Sequence, residues 1–299
     1  MELRHLRYFA AVAQTRSFTH AADQLHISQP TLSHQIKQLE VELGTELFAR
    51  YPRSVELTEA GRQFRPHCDR ILKEVDDGLQ TVSDVKGVLR GTLNMAVFHS
   101  FSRSLLGPAV SQFVLRHQGV RVVARLVPRA EMERDLANGT LDMAVAYVAE
   151  DSEHIVAETL FQEELVLVVG DTHPLAASKK AAMRTIGDLS LVLLTPEFAS
   201  RQFVDRFCTE SGIAPRILLE MNAIEPILSI IRNAPLATVL SAGAIGDASG
   251  LCVIRLTHPT PKRWAALLWR RHGHRSPAAL RMAEMIRSAY GVPEPRPQR

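Results

Sequence analysis

Two helical patterns joined by a tight turn constrain the first sixty residues of this chain most strongly. Apolar side chains recur at helical spacing at Leu32, Ile36, Leu39 and Leu43. Ser28 is a suitable N-cap for that helix, and Pro30 falls in its first turn, where a missing backbone N–H breaks no helical hydrogen bond. A shorter helix in the run TRSFTHAADQLH precedes it, after an amphipathic helix at residues 3–15. Together these patterns predict a helix-turn-helix.

The polar face of the third predicted helix has the groups that read base edges. It carries Gln29, Pro30, Ser33, His34 and Lys37. Glutamine can pair with adenine through two hydrogen bonds, serine can serve either strand, and lysine suits guanine or a phosphate. The alternative is a helix face that is only solvated. The helix and turn that precede this face favour a recognition helix in DNA.

A short hairpin is predicted directly after Gly44. Phe48, Val55 and Leu57 anchor two strands around the turn Tyr51-Pro52-Arg53-Ser54. Arg50 and Arg53 at its tip suit the phosphate backbone, where they would position the protein without reading sequence.

A long apolar seam runs from Thr58 to Leu89, at spacings of three and four residues. A helix of about 28 residues spans roughly 40 Å and cannot bury such a seam against itself, so we predict a homodimer through this helix. The alternative is a long helix that lies on its own domain. Pro66 should bend the helix near its start, and Cys68 is interpreted as buried packing in the seam.

The remaining two thirds of the chain alternate short β-rich runs with helix-length segments. Examples are LNMAVF, LDMAVAYV, LVLVVG and LVLL. This alternation predicts α/β units with mostly parallel sheets. The chain is expected to cross between two lobes near Phe161–Glu164 and again near Arg263–Ala265. The final helix, SPAALRMAEMIRSAY, then returns to the first lobe.

Hydroxyl side chains follow two of these strands, where ligands of open α/β sheets bind. The run LNMAVF leads to Ser100, Phe101 and Ser102, and the run LVLL leads to Thr195, Phe198, Ala199 and Ser200. Hydroxyls and free backbone N–H groups at a helix start suit an anion or a carboxylate. Taken alone, each segment is also an ordinary helix cap. Other ends of elements that would line the same cleft carry Arg129, Tyr147 and Asn222.

Composition and charge exclude several classes of protein. The chain has 299 residues, 46% of them hydrophobic and 22% charged, which is typical of a globular protein of about two domains. Three cysteines without a CxxC pair indicate a reducing compartment. The N-terminal run alternates charged with apolar residues, and no stretch of roughly 18 apolar residues occurs, so we expect a cytoplasmic protein without a membrane partner. The net charge is +3, with the basic excess in the C-terminal tail.

An α/β enzyme is the main alternative from another class. Hydrolytic, phosphate and zinc chemistry would need a Gly-x-Ser-x-Gly elbow, a Gly-x4-Gly-Lys-Ser/Thr loop or a His-Glu-x2-His pair, and the sequence contains none of them. We therefore expect no catalysis, no cofactor and no metal. His272 and His274 have no acidic ligand nearby and are interpreted as surface residues.

The run FTHAADQLHISQPTLSHQIKQLEVELGTELFARYPRSVELTEAG resembles the winged helix-turn-helix of LysR-type bacterial transcriptional regulators over more than forty residues. The resemblance implies a recognition helix from about Gln29 to Val41. It also implies DNA contacts by Gln29, Pro30, Ser33, His34, Lys37, Arg50 and Arg53. Promoter DNA is then the expected partner of a homodimer or homotetramer, and RNA polymerase is a further candidate partner.

The same resemblance implies two Rossmann-like lobes, similar to a periplasmic binding protein, with a small-molecule effector between them. The hydroxyl-bearing strand ends would then face each other across the cleft. Within the family, the runs LVLLTPEFASRQFVD and NAIEPILSIIRNAPLATVLSAGAI are similar to regulators of bacterial cyanate operons, which implies cyanate or a comparable small anion as inducer.

A thiol-based redox sensor of the same family is the second alternative. Cys208 shares an apolar helix face with Val204 and Phe207, and no neighbouring cysteine could resolve it, so packing is the favoured interpretation.

These expectations divide the chain into three parts. A winged helix-turn-helix is expected at residues 1–58, a coiled-coil linker helix at 59–90 and the effector-binding domain at 91–299. The first lobe of that domain takes 91–161 and 266–299, and the second takes 162–265.

Overall fold

The computed structural model describes residues 1–51, 54–84, 89–148 and 152–291. The chain divides into two compact units, one within residues 1–88 and the other from Leu89 onwards apart from the turn at 137–140. Each unit has its own apolar core.

The first unit has the predicted helices and hairpin. Its elements are α1 (Leu3–Thr15), α2 (Phe18–Gln24), α3 (Gln29–Leu43), β1 (Phe48–Tyr51), β2 (Ser54–Leu57) and α4 (Glu59–Asp84). Leu32, Ile36 and Leu39 of α3 are fully buried, as their helical spacing predicts. The strands β1 and β2 pair antiparallel, with Tyr51 opposite Ser54.

The third helix is fixed at both ends and along its length. Ser28 caps its start, because the Ser28 side chain accepts a hydrogen bond from the backbone N–H of Thr31. Gly44 ends it in the left-handed conformation, at φ +69°. Between these ends, Glu40 accepts hydrogen bonds from the backbone N–H groups of Leu47 at 2.9 Å and Phe48 at 3.2 Å. The carboxylate of Glu40 therefore joins α3 to the first strand of the hairpin.

Helix α4 occupies most of the predicted linker. It contains Pro66 and ends at Asp84, and the seam position Val85 lies outside the described residues. Cys68 is fully buried against α1, with its Sγ 3.3 Å from the carbonyl oxygen of Leu6. Farther along, Ile71 and Leu79 are exposed, 38% and 61% of their surfaces being accessible. The second half of α4 thus leaves apolar side chains uncovered within this single chain.

The second unit contains ten strands and five helices among its described residues. The strands are β3 (Gly91–Val97), β4 (Val120–Leu126), β5 (Met143–Tyr147), β6 (Ile155–Gly170), β7 (Lys180–Ala182), β8 (Ser190–Leu194), β9 (Arg216–Met221), β10 (Ala237–Ser241), β11 (Leu251–Thr257) and β12 (Lys262–Arg270). The helices are α5 (Gly107–Arg116), α6 (Arg129–Ala137), α7 (Ala199–Glu210), α8 (Ile224–Asn233) and α9 (Pro277–Ala289).

Two long strands join the two lobes of this unit. In the first lobe the strand order is β4-β3-β5-β12-β6, and in the second it is β6-β10-β8-β9 with β11 and β7 beside β6. Strand β6 pairs with β12 as far as Glu164 and with β10 and β11 from Leu165 onwards. The crossings therefore lie close to those predicted near Phe161–Glu164 and Arg263–Ala265.

The sheet pairing follows the connections. Strands β3, β4 and β5 of the first lobe pair parallel, as do β8, β9 and β10 of the second. The crossing strands β6 and β12 run antiparallel to each other and to their neighbours, because each enters its second sheet without a helical crossover. Ala279, Met282 and Ile286 of α9 join the core of the first lobe, as predicted for the last helix. No helix within the described ranges is long and apolar enough to cross a bilayer.

Two glycines of α4 provide a matched test of packing in the first unit. A Cβ at Gly61 would lie 2.1 Å from the backbone oxygen of Leu47, whereas a Cβ at Gly78 would meet nothing within 4 Å. We expect Gly61→Ala to destabilise the unit by about 1–3 kcal/mol, because backbone must move. Gly78→Ala should raise stability by about 0.5–1 kcal/mol, the ordinary gain for alanine over glycine in a helix. Calorimetric unfolding of the full chain measures both, and equal effects of the two substitutions would contradict the close approach.

Candidate functional site

The polar face of α3 is available for contact. Gln29, Pro30, His34 and Lys37 are exposed, and Ser33 is half-buried. Strand β1 contains Arg50, whose side chain is outside the described part of the structure, and Arg53 lies outside the described residues. The structure thus brings the five predicted α3 residues onto one element.

Sequence reasoning missed how this helix is held against the first one. The side chain of Gln35 lies 3.1 Å from Nε2 of His5 on α1 and donates a 2.9 Å hydrogen bond to Gln38 on its own helix. His5 is buried. A polar residue at the edge of a recognition face therefore also orients the helix.

A cleft of about 390 Å³ lies between the lobes of the second unit. From the first lobe it is lined by Phe98, His99, Ser100, Val127, Pro128, Arg129, Ala130 and Glu133, and from the second by Leu194, Glu197, Phe198, Ala199, Ser200 and Gln202. Across the cleft, the ring of His99 lies edge-on to that of Phe198, with centroids 5.0 Å apart. The volume suits a small molecule.

Half of the predicted effector residues line this cleft. They are Ser100, Arg129, Phe198, Ala199 and Ser200. The others are placed elsewhere by their local structure, and they are Phe101, Ser102, Tyr147, Thr195 and Asn222.

The displaced residues have identifiable partners. A 3-10 turn at His99–Phe101 directs Phe101 into the core of the first lobe, and the hydroxyl of Ser102 donates back to the carbonyl oxygen of His99. Thr195 donates to the carboxylate of Glu197, which lowers the pKa of that carboxyl. Asn222 is exposed beyond the end of β9.

A buried guanidinium lies directly beneath the floor of the cleft. Arg263 on β12 is 7% exposed, and its Nη2 lies 3.1 Å from Ser200 Oγ, 2.8 Å from Ser241 Oγ and 2.6 Å from the Tyr147 hydroxyl. Its Nε donates to Glu163 on β6 at 3.2 Å. One side chain thus contacts groups of both lobes and both crossing strands.

Tyr147 connects this guanidinium to the other side of the floor. Its hydroxyl lies 2.6 Å from Ser100 Oγ and donates to Glu163 Oε2 at 2.7 Å. Burial raises the pKa of Tyr147 well above its ordinary value, so the phenol keeps its proton at neutral pH. Ser100 and Ser200, which line the cleft, are therefore both joined to the Arg263 network.

The cleft walls add further polar groups. Arg129 begins α6, donates to the backbone oxygen of Tyr147 at 2.6 Å and pairs with Glu133 at 2.7 Å. Helix α7 begins at Ala199 without a side-chain cap, so its first N–H groups are available at the cleft. Desolvation lowers the pKa of His99, which leaves that imidazole neutral at pH 7. This is a site for a small polar molecule with an acceptor group.

Sequence reasoning assigned no role to Arg263, Glu163 or Ser241. The available signal was the placement of charges next to apolar runs, in QEELVLVV and KRWAALLWR, where the chain crosses between lobes. Buried charges are paired, so two opposite charges on the two crossing strands indicate a pair.

The described thiols are placed as packing residues. Burial raises the pKa of Cys68 to about 12 and also raises the pKa of Cys208, which is 1% exposed in the core of the second lobe. Cys252 is half-buried on β11. A raised pKa disfavours the thiolate, which is the reactive form.

A winged helix-turn-helix together with a two-lobed ligand-binding unit defines a DNA-binding transcriptional regulator. Residues 3–62 match the bacterial regulatory helix-turn-helix of the lysR family, and residues 86–291 match the LysR substrate binding domain. The chain belongs to the LysR family. Its homologues are transcriptional regulators rather than enzymes.

Curated relatives match over nearly the whole chain. HTH-type transcriptional regulator BudR of Raoultella terrigena is 32% identical over 299 residues, which cover 96% of this chain and 100% of that protein. The RuBisCO operon transcriptional regulator of Allochromatium vinosum is 29% identical over 96% of both chains. The hydrogen peroxide-inducible genes activator of Pectobacterium carotovorum subsp. carotovorum is 29% identical over 90% of both.

Solved structures share the fold. A full-length OxyR variant from Pseudomonas aeruginosa has a TM-score of 0.76 at 24% identity, over 97% of this chain and 94% of that one. CbnR complexed with its target DNA has a TM-score of 0.73 at 23% identity, over 97% and 100%. Full-length BenM is 28% identical over 100% of both chains, with a TM-score of 0.61.

The placement of the cysteines predicts an order of alkylation. At pH 7.5 in the native protein, iodoacetamide should modify half-buried Cys252 first, while Cys68 and Cys208 should react only after unfolding, because they are buried and protonated. Mass spectrometry of timed digests measures the order, and Cys252→Ser is the control that should abolish native labelling. Rapid native labelling of Cys208 would contradict its assignment to packing.

Proposed function

We propose that this protein regulates transcription in response to a small carboxylate or comparable anion bound in the cleft between the lobes. The observation that carries the proposal is the cleft floor, where Ser100 and Ser200 from opposite lobes both connect to the buried guanidinium of Arg263. A ligand with an acceptor group is favoured there by the hydroxyls, by the start of α7 and by Arg129.

The contacts follow from position. Ser100, Arg129, Phe198, Ala199 and Ser200 contact the effector directly in this proposal. The remaining predicted residues, Phe101, Ser102, Tyr147, Thr195 and Asn222, act through neighbours, Tyr147 above all because its hydroxyl contacts Ser100.

On the DNA side, α3 enters the major groove and the hairpin lies on the backbone. Gln29, Ser33, His34 and Lys37 meet base edges or phosphates, Pro30 packs beside them, and Arg50 and Arg53 hold phosphates. We retain the division at residues 58 and 90 as part of this proposal.

The exposed apolar side chains of α4 support a dimer. Ile71 and Leu79 are uncovered in the single chain, and a partner α4 would bury them. Two recognition helices could then reach two half-sites of a near-palindrome. A homotetramer of two such dimers, contact with RNA polymerase and a cytoplasmic location complete the proposal.

Cyanate is the smallest effector that the proposal covers. A cleft of about 390 Å³ is much larger than a three-atom ion, so a carboxylate with a short carbon skeleton fills it better. None of the relatives named above is named for a cyanate operon.

Redox sensing is the second candidate function, because one relative is named for hydrogen peroxide-inducible genes. The burial and raised pKa of Cys208 speak against a reactive thiol. We therefore favour control by a ligand, which can shift the balance of two lobe arrangements only by its different affinity for them.

The DNA contacts predict two distinct kinds of defect. Gln29→Ala or Ser33→Ala should relax sequence choice, because each removes a group placed at base edges. Arg53→Ala should weaken binding evenly over sequences and shallow the salt dependence by about 0.9 in the log-log slope, as for one lost phosphate contact. Sequencing of DNA selected by each full-length variant from a random pool, with salt titrations, separates the two. A specificity change in Arg53→Ala without one in Gln29→Ala would reverse these roles.

The effector site predicts a ligand-dependent rise in stability. An anion at 100 times its Kd should stabilise the second unit by roughly 2.7 kcal/mol, and Ser200→Ala should reduce the effect by removing a cleft hydroxyl. Thermal unfolding against short-chain carboxylates and cyanate measures this, with Ser229→Ala, an exposed serine on α8, as control. A stabilisation that survives unchanged in Ser200→Ala would place the ligand elsewhere.

A further inference from the structure

The hydrogen bonds beneath the cleft fix which way its hydroxyl protons point. The Tyr147 oxygen is within 2.7 Å of three groups, namely Ser100 Oγ, Glu163 Oε2 and Arg263 Nη2. A phenol has one proton and can accept two hydrogen bonds, so at most one of the three contacts is a donation by Tyr147.

Glu163 takes that proton. Its carboxylate is paired with the guanidinium of Arg263 at 3.2 Å, and an ionised carboxylate can only accept. Arg263 can only donate, so its contact at 2.6 Å uses one lone pair of the Tyr147 oxygen.

Ser100 must therefore donate to Tyr147, using the remaining lone pair of the phenol oxygen. The 2.6 Å contact consumes the hydroxyl proton of Ser100. Towards the cleft, Ser100 Oγ is left with lone pairs alone. It is an acceptor that asks for a donor on the ligand.

Ser200 has the opposite polarity. Its Oγ lies 3.1 Å from Nη2 of Arg263, so its lone pair is directed at the cation and its proton is directed away. In addition, Nη1 of Arg263 is buried without a hydrogen-bond partner among the described residues, which leaves positive charge uncompensated at the floor. Ser200 is thus a hydroxyl donor backed by a cation, a pairing that favours an anionic acceptor.

From this polarity we infer that the effector is a small 2-hydroxycarboxylate, with its carboxylate on the Ser200 side of the cleft and its hydroxyl donating to Ser100. This inference rests on the proposed function of the cleft. An ammonium group could also donate to Ser100, but the guanidinium groups of Arg129 and Arg263 repel a cation there. A neutral hydroxyl meets the same need without that cost.

Tyr147 and Arg263 are positioning residues in this scheme, because they act on the ligand through the two serines. A network that served only to brace the lobes would hold them together without distinguishing a ligand hydroxyl from a ligand carbonyl. The distinguishing readout is therefore the ratio of affinities for two ligands that differ in that group alone.

Matched hydroxy and oxo acids test the inference on the full chain. Isothermal titration would compare lactate with pyruvate, 2-hydroxybutyrate with 2-oxobutyrate, and 2-hydroxyglutarate with 2-oxoglutarate. In at least one pair the hydroxy acid should bind about tenfold more tightly, since the oxo acid has only acceptors to offer Ser100. Propionate and butyrate report binding of the carboxylate alone.

Three variants locate the effect. Ser100→Ala should remove the preference between the members of a pair, and Tyr147→Phe should weaken it, because Ser100 is then free to donate or to accept. If Tyr147→Phe fails to fold, Ser100→Ala decides alone. Ser111→Ala, an exposed serine on α5, should keep the wild-type ratio.

The outcomes separate the two proposals. Equal affinity for both members of every pair, or binding of butyrate without binding of any hydroxy acid, overturns the hydroxycarboxylate and leaves the cleft as an anion site. Absence of binding by every acid and by cyanate overturns both. A hydroxy-acid preference that persists in Ser100→Ala overturns the proton arrangement.

Discussion

The guanidinium of Arg263 is buried where the two crossing strands bring the lobes together, and the cleft depends on how that charge is compensated. Removal of an ion from water costs on the order of several kcal/mol unless partners replace the lost hydration. Here the partners are the carboxylate of Glu163 and hydroxyls of Tyr147, Ser200 and Ser241. Because they come from both lobes, a change in lobe arrangement must alter the environment of the charge.

A second fixed point lies in the DNA-binding unit. The carboxylate of Glu40 accepts from two backbone N–H groups at the entrance to the hairpin, and the close approach of Gly61 to Leu47 sets the start of α4 against the same segment. The recognition helix, the hairpin and the long helix are therefore positioned through one short stretch of chain. Substitutions there act on the orientation of the DNA-reading face without touching DNA.

Sequence reasoning succeeded where one local pattern determines structure. The stripe of Leu32, Ile36 and Leu39, the Ser28 cap and the hairpin around residues 51–54 each depend on a few neighbouring residues, and the structure has all of them. It failed where distant segments meet. Glu163, Ser241 and Arg263 come from three separate strands, and no periodicity relates them. Phe101 was expected in the cleft, but a tight 3-10 turn directs it into the core.

The central claim is that the cleft and the DNA-binding face are energetically coupled, and linkage gives the most direct test. If a ligand changes the affinity for operator DNA by some factor, DNA must change the affinity for the ligand by the same factor. Titration of the effector acid into the full-length protein, with and without saturating operator DNA, measures that factor. We predict that the two Kd values differ by at least about fivefold, the lower end of typical coupling. Equal Kd values would contradict the account, since the cleft would then bind its ligand without informing the DNA-binding unit.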